Sequence, residues 1–571
     1  MVSENNLLLG ADILLKSLET EGVEHIFGIP GGVVLPVYDA ICRNTKIKHF
    51  LMKHEQAAVH AAEGYAKSSG KVGVALVTSG PGATNTVTGL ADAYYDSVPI
   101  VVIAGNVSSA VLGNDAFQES DIFAITRQCT KHNFIVRNIK DLARTIKEAF
   151  YIASTGRPGP VLVDITKEAI YGKTEYIPAT ETALPGYNPK PELDVSSVYK
   201  VIEEIQVAEK PVILCGGGVV ISNSYEELLT LSERFDIPVA STLMGLGGFP
   251  ADNKNFLGFA GMHGRYWANH AITNSDLLII LGGRMSDRQT GVLKDYCPNA
   301  RTIHIDIDPA SLNKNLYVDL AIHAELKELL SLIIKNTEAI ELTEAQKNSR
   351  KEWHKEIDAY RTEATTFKVS EDNNHPRPDE LISKVYELTA DDAFIATEVG
   401  QHQMWSAQLF NKNCSRRFLT SGGLGTMGFG FPAALGAQIA NPDKQVVVIA
   451  GDGSFQMNLQ EIATAVAYDI PVKVVIVNNG FLGMVRQWQN YMFDGRLSES
   501  KVFSPDYIKL ADAYGAKGYR VDKISELDNV LKEALAQPGF AIVDCIVESQ
   551  EDVLPWVPVG NANSNMLVEK K

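Results

Sequence analysis

The stretch from Gln445 to Asn479, QVVVIAGDGSFQMNLQEIATAVAYDIPVKVVIVNN, constrains the fold more than any other part of the chain. It reads strand, Gly-rich turn, helix, strand, with Asp452 at the end of the first strand and Asn478 and Asn479 at the end of the second. Such a βαβ unit places its polar residues at the carboxyl ends of parallel strands, where open α/β sheets bind ligands. Asp452 offers a carboxylate and Asn479 an amide oxygen, while Gly451 and Gly453 let the backbone approach a phosphate. Magnesium takes hard oxygen ligands, few of them from protein, so a magnesium diphosphate suits this set. The plainer alternative is a buried βαβ unit whose turn residues happen to be Asp and Asn.

A chain of 571 residues suggests about three domains. Its 45% hydrophobic and 21% charged residues allow sizeable cores. A formal charge of −17 with no basic stripe argues against nucleic acid or an anionic membrane as partner. Cysteines 42, 129, 215, 297, 414 and 545 form no CxxC pair, which points to a reduced, cytoplasmic home. The start MVSENNLLLG lacks the plan of a signal peptide, and no apolar run reaches the ~18 residues that span a bilayer. Two stretches divide the chain: a Pro/Gly-rich linker around Thr180 to Ser197, and a segment from about Asn336 to Glu380 that reads as an exposed charged helix followed by a linker ending in prolines. The expected domains are 1–180, 190–340 and 375–550.

The outer thirds resemble each other. Val74 to Asn106, VALVTSGPGATNTVTGLADAYYDSVPIVVIAGN, repeats the strand, Gly turn, helix and a strand ending in Asn, and YYDSVPIVVIAGN parallels AYDIPVKVVIVNN. An internal duplication is one reading; the other is that parallel-strand units share apolar runs and Gly turns anyway. The first copy has Pro81 where the second has Asp452, so only the second is built for a metal. The first copy carries Glu55 instead, where a strand gives way to a helix. Alone, Glu55 is also explained as a favourable first-turn charge.

GDG and NN separated by one helix and one strand resembles the thiamine diphosphate signature, in which the Asp, the second Asn and a main-chain carbonyl, here that of Phe481, hold the metal. The resemblance extends along nearly the whole chain. GIPGGVVLPVYDAI (28 to 41), KHEQAAVHAAEGYA (53 to 66), VTSGPGATN (77 to 85), DAFQESD (115 to 121), GRPGPVLVDITKE (156 to 168), VGQHQMW (399 to 405), SGGLGTMGFGFPAALGA (421 to 437) and LGMVRQWQ (482 to 489) resemble the catalytic subunit of the acetohydroxyacid synthase, or acetolactate synthase, family. The match is closest to its biosynthetic, flavin-containing branch. That family implies an α/β fold of three doubly wound parallel-sheet domains, the middle one binding FAD.

The resemblance also implies roles. Glu55 is the acid that hydrogen-bonds the cofactor's pyrimidine and so activates its thiazolium carbon, with a carboxyl raised by an apolar setting. Gly32 and Gln118 sit near the reacting carbon, and Lys167 near the mouth. Met427 forces the two cofactor rings into a V. Val399, Gly400, Gln401, His402, Gly453 and Ser454 hold the diphosphate, with Met484 beside the cofactor and Asp452, Asn479 and Phe481 on Mg2+. Without the family, Met427 is equally core filler and the VGQHQ run a strand-end turn. In the middle domain, Arg157, Gly216, Gly217, Gly218, Thr242, Leu243, His263, Arg284, Arg288, Asp306 and Ile307 line the flavin, whose role is structural or vestigial. A Gly cluster after a strand is on its own weak evidence for a dinucleotide. Ser286 and the pair Ala324-Glu325 depart from the family pattern and put flavin affinity in doubt.

The implied reaction is decarboxylation of pyruvate and addition of the remaining two-carbon carbanion to a second pyruvate or to 2-ketobutyrate, the first common step of branched-chain amino-acid synthesis. Arg288 meets the acceptor carboxylate, and Trp488 with Met262 walls its alkyl end; Trp488 as a plain core aromatic is the alternative. A homodimer or homotetramer is implied, because the family's cofactor lies between subunits, and a separate regulatory small subunit is a further expected partner. Pyruvate oxidase, glyoxylate carboligase (which lacks the Glu seen at 55) and a silent scaffold are the competing readings.

Overall fold

The runs VALV, VVI and VLV that follow Gly73, Ile100 and Pro160 contain no polar residue, which suits strands covered on both faces. In the computed structural model, which describes residues 7–43, 46–182, 184–367 and 374–569, all three are fully buried strands of one parallel sheet. That sheet comprises β1 (His25–Gly28), β2 (Lys48–Leu51), β3 (Gly73–Val77), β4 (Ile100–Asn106), β5 (His132–Val136) and β6 (Val161–Thr166), in the order β2-β1-β3-β4-β6-β5. A second parallel sheet holds β7 (Pro211–Cys215), β8 (Val239–Ser241), β9 (Phe256–Phe259), β10 (Leu277–Leu281), β11 (Arg301–Asp306) and β12 (Leu320–His323), ordered β9-β8-β7-β10-β11-β12. That is the order of a dinucleotide-type doubly wound sheet, with its switch point between β7 and β10.

The third sheet repeats the first. β13 (Phe394–Thr397), β14 (Phe418–Leu419), β15 (Val446–Gly451), β16 (Lys473–Asn478), β17 (Lys517–Val521) and β18 (Ala541–Ile546) run β14-β13-β15-β16-β18-β17, strand for strand the order of the N-terminal sheet. Register repeats too. Ala104 pairs with Asp164 and Asn106 with Thr166; Ile476 pairs with Asp544 and Asn478 with Ile546. In each copy the strand-end Asn therefore reaches the Asp two pairs back: Asn106 Nδ2 donates to Asp164 at 2.6 Å and Asn478 Nδ2 to Asp544 at 2.9 Å. Chance sharing of apolar runs does not place the same cross-strand polar pair at the same register, so the duplication reading prevails.

Helices join the copies. α1 (Glu55–Ser69) packs on α4 (Gly430–Ala440), while α2 (Val87–Asp96) lies beside α1; α3 (Gln401–Leu409) follows β13 and α5 (Gly483–Met492) follows β16. Both α1 and α4 are rich in Ala and Gly, and the reason is distance. A Cβ on Gly64 would lie 1.9 Å from the Ala433 carbonyl oxygen, and one on Gly436 1.8 Å from that of Ala61. The backbones touch, and one apolar core runs unbroken from Phe27 and Leu90 to Phe431, Val448 and Ile476.

The charged segment after Asn336 corrects one expectation. The helix Glu344–Ala364, capped by Thr343 and Gln346, is not merely exposed. Its Arg350, Trp353 and Ile357 are buried against the middle sheet, with the Arg350 guanidinium donating to the carbonyls of Ile205, Ala208 and Phe235. Part of the following linker, 368–373, lies outside the described residues, as do Ala183 of the first linker and residues 1–6 of the start. The first linker carries no helix or strand until Asp194 caps the helix Val195–Val207, so residues 195–197 belong to that helix. All six cysteines are free thiols. Among the described residues no helix is long and apolar enough to cross a membrane.

Candidate active site

Parallel strands end together, and each sheet's carboxyl edge collects loops that carry chemistry. On the C-terminal sheet, β15 ends at Gly451 and Asp452 opens a four-residue helix, Asp452–Phe455. Burial pushes the Asp452 carboxyl up to about 6, only partly offset by Ser504, whose hydroxyl donates to Oδ2 at 3.0 Å. A buried carboxylate so poorly neutralised by protein fits a cation ligand. The two asparagines divide the work: Asn478 turns to Asp544, whereas Asn479 faces the cavity, its Oδ1 accepting from the Phe481 amide at 3.0 Å and its Nδ2 donating to Gln401 at 3.3 Å.

A cavity of about 890 Å³ joins this edge to the switch point of the middle sheet. Of the residues proposed from sequence, Val399, Gly400, Gln401, His402, Met427, Asp452, Gly453, Ser454, Asn479, Phe481 and Met484 line one end. Arg157, Gly217, Gly218, Thr242, Leu243, His263, Arg284, Asp306 and Ile307 line the other, with Arg288, Met262 and Trp488 also on the wall. Gly216 is the exception and does not line the cavity. It is the point where the β7 turn crosses the β10 turn, since a Cβ there would lie 2.3 Å from the Gly282 carbonyl oxygen.

Two buried histidines test what the cavity could hold. Among the described residues, the Nε2 of His402 and that of His263 have no hydrogen-bond partner, and burial holds both imidazoles down to about 3, so both are neutral. Neutral rings with orphaned polar atoms at opposite ends of one cavity fit two polar ligands, one at each end. The donor set at the first end suits a magnesium diphosphate, and the Gly-turn end suits a dinucleotide.

Between them lies a compact cluster. The Arg288 guanidinium stands 5.4 Å from the Trp488 ring centre, its Nη1 reaches the Met262 sulfur at 3.8 Å, and Trp488 packs 6.0 Å from Trp556. An exposed cation beside an apolar wall can seat a carboxylate whose alkyl tail is short. Trp556 is 1% exposed and was not foreseen; it arrives from a C-terminal segment with no periodic pattern. Also unforeseen is Glu398, whose carboxyl accepts from the Gly428 and Phe431 amides and thereby holds the turn after Met427. Of the departures, Ser286 and Glu325 line the cavity, and Glu325 caps the helix Leu326–Asn336 through the amides of Lys327 and Glu328. Ala324 is fully buried in the middle core.

Glu55, Gly32, Gln118 and Lys167 form a separate group on the carboxyl edge of the N-terminal sheet, and none of the four lines that cavity. Glu55 starts α1, half-buried, and its Oε2 accepts from Asn85 Nδ2 at 2.9 Å. Gln118, at φ 59°, backs onto the turn at Gly80, and Gly82 of the same turn borders Glu55 Oε1. Gly32 and Lys167 are exposed. The apolar burial expected around Glu55 is therefore incomplete in one chain: this edge faces outward, with Phe117 89% exposed beside it.

Comparison with known proteins agrees with this layout. Residues 9–125 match the thiamine pyrophosphate enzyme N-terminal TPP binding domain, 198–333 the central domain and 398–545 the C-terminal TPP binding domain. The chain is 44% identical over 574 residues to an acetolactate synthase large subunit of Haemophilus influenzae, covering 99% of this chain and 98% of the relative. It is 41% identical over 570 residues to the acetolactate synthase isozyme 3 large subunit of Escherichia coli, covering 99% of each. A probable acetolactate synthase large subunit of Methanocaldococcus jannaschii is 44% identical over 570 residues, 98% of this chain and 95% of that one.

Proposed function

We propose, from the premise that the chain belongs to the acetolactate synthase large-subunit family of thiamine pyrophosphate enzymes, that it decarboxylates pyruvate and joins the two remaining carbons to a second 2-keto acid. Pyruvate as acceptor gives 2-acetolactate and 2-ketobutyrate gives 2-aceto-2-hydroxybutyrate, as branched-chain amino-acid synthesis requires. The observation that carries this reading is the meeting, in one cavity, of the Asp452 and Asn479 oxygens with the Arg288, Trp488 and Met262 cluster.

Thiamine diphosphate, when bound, supplies the nucleophilic carbon and the electron sink. The residues do the rest. Asp452, the Asn479 amide oxygen and the Phe481 carbonyl hold Mg2+, and His402, Gly453 and Ser454 hold the diphosphate with Val399, Gly400 and Gln401. Met427 and Met484 pack beside the rings. Glu55, whose Oε2 accepts from Asn85 Nδ2, would exchange a proton with the pyrimidine nitrogen. Because Glu55 lies outside the cavity of its own chain, it serves the cavity of a second copy, so a homodimer is the smallest complete unit and a tetramer doubles it. Gly32 leaves open space there, with nothing among the described residues within 4 Å of a Cβ position, and Gln118 and Lys167 belong to the same carboxyl edge. Arg288 orients the acceptor carboxylate, and Trp488 and Met262 exclude water from its alkyl end. Gly217, Gly218, Thr242, Leu243, His263, Arg284, Asp306 and Ile307, with Arg157, would hold FAD. The relatives are named large subunits, so a smaller regulatory subunit is a partner to seek. The acidic surface and reduced thiols suit the cytoplasm.

The test is the purified protein with thiamine diphosphate, magnesium and FAD, given pyruvate alone and with 2-ketobutyrate, products resolved. Both hydroxy acids are expected. Peroxide or acetyl products in their place, or no carbon dioxide, reject the reading.

A further inference from the structure

The mechanism above leaves unused a set of buried ionisable groups where α1 and α2 meet the C-terminal module. His60, Glu63 and Asp92 are fully buried, and Lys67 and Asp96 sit beside them. Three carboxyls against one ammonium and a neutral imidazole is a costly arrangement for an interior unless it fixes something.

What it fixes is a loop. Residues 420–427 leave β14 and reach α4 without joining a sheet or helix, and Leu424, Gly425 and Met427 line the cavity. Two backbone amides of this loop are taken up directly by the N-terminal module of the same chain, and two more are linked to it through Ser421. Gly422 and Gly423 donate to the Asp96 carboxylate at 3.1 and 2.7 Å. Gly425 and Thr426 donate to Ser421 Oγ at 3.0 and 2.9 Å, and that hydroxyl donates to Asp92 Oδ1 at 2.6 Å. Lys67 ties the start of the loop, donating to Asp96 at 2.7 Å and to the Thr420 carbonyl at 2.6 Å.

We infer that Asp92, acting through Ser421, is a positioning residue that sets the shape of the loop under the cofactor. This rests on the reading of the cavity as a thiamine diphosphate site. The charged and titratable groups facing Asp92 are His60, Glu63 and Lys67 on α1 and Asp96 on its own helix; the loop contributes none. His60 Nδ1 is 2.8 Å from Glu63 Oε1 and 3.8 Å from Asp92 Oδ2, while Glu63 Oε2 and Asp92 Oδ2 have no hydrogen-bond partner among the described residues. Burial raises both carboxyls, so each takes up a proton more readily than a carboxyl in water. Asp92 Oδ1 accepts from Ser421 whether or not the carboxyl carries a proton, as the carbonyl oxygen of an Asn would.

That equivalence supplies the experiment. Thiamine diphosphate binding, with magnesium saturating, is titrated by calorimetry on the wild type and on Asp92→Asn, Asp92→Ala, Ser421→Ala and the double variant Asp92→Asn with Ser421→Ala. The wild type binds if the functional reading holds; its failure to bind overturns that reading and this inference together. Given wild-type binding, Asp92→Asn stays within about twofold, whereas Asp92→Ala and Ser421→Ala each weaken binding about tenfold. The double variant is no weaker than Ser421→Ala, because one path carries both effects. The half-saturating pyruvate concentration shifts less than the cofactor's. Ser421→Ala removes one oxygen and keeps the fold testable should Asp92→Ala not fold. Unchanged affinity in Ser421→Ala, or Asp92→Asn as weak as Asp92→Ala, overturns the inference.

Discussion

The N-terminal and C-terminal modules share strand order, register and an Asn–Asp pair, yet differ at the first residue of the short helix after their third strand: Pro81 in one, Asp452 in the other. Both residues suit a helix start, proline because it needs no amide partner there and aspartate because of the helix dipole. Only one can hold a cation. The N-terminal copy instead places Glu55 at the start of α1, paired with Asn85 from that same short turn. Duplication thus gave one scaffold twice, with a carboxyl at Glu55 on the edge of one copy and at Asp452 on the edge of the other, and the proposed function gives proton exchange to the first and metal binding to the second.

That division of labour can be broken most severely at Glu55. Glu55→Gln is expected to lower kcat by roughly 10² to 10⁴-fold, the usual worth of a positioned acid or base, while cofactor binding by calorimetry stays close to wild type. Asp452→Ala should show the opposite signature: thiamine diphosphate and magnesium binding weakened about a hundredfold, roughly 3 kcal/mol, with turnover partly restored by excess cofactor. If the two variants gave the same pattern, the separation of roles would be lost.

A pH series sharpens the comparison at lower amplitude. The Asp452 carboxyl, raised to about 6 by burial, must lose its proton before magnesium binds. Magnesium affinity should then fall about tenfold per pH unit below about 6 and level off above it. The stability sign follows from the same shift. A carboxyl whose folded value lies above its unfolded value near 4 contributes stability at low pH and loses that contribution as pH rises through about 6. The metal-free protein should therefore gain more in melting temperature from magnesium diphosphate near about pH 7 than near about pH 5. Equal gains at both would contradict the assignment. Smallest is Trp488→Leu, expected to shift mixed-substrate product ratios away from 2-aceto-2-hydroxybutyrate by about 10-fold or less, the worth of one apolar contact, with acetolactate formation kept.

Much of this was legible in the sequence because it is local. Asp452 and Asn479 stand at the ends of short apolar runs, and Glu55 where a strand gives way to a helix, so strand polarity alone puts them on carboxyl edges. The family resemblance supplied the roles of Arg288, Met262 and Trp488, and the structure puts the three in contact. What stayed hidden depends on distant packing. Lys67, Asp92 and Asp96 lie on α1 and α2, and their partners in the loop before α4 are more than 300 residues away in the chain. Trp556 belongs to an aperiodic tail, and Glu344–Ala364 looks charged all round although Arg350 satisfies three carbonyls at a helix and strand junction. Gly216 looked like a cofactor glycine, but close contact between two turns is the reason it lacks a side chain.

The most direct test mixes the two inactive variants. Glu55→Gln and Asp452→Ala subunits are co-expressed with different tags, and the mixed dimer is isolated and assayed for acetolactate at wild-type cofactor levels. If each site draws its acid from one subunit and its metal ligand from the other, one of the mixed dimer's two sites has both groups intact, and activity returns to about half that of the wild type. If both groups serve a site within one chain, every site in the mixed dimer carries a lesion, and the protein stays as inactive as its parents.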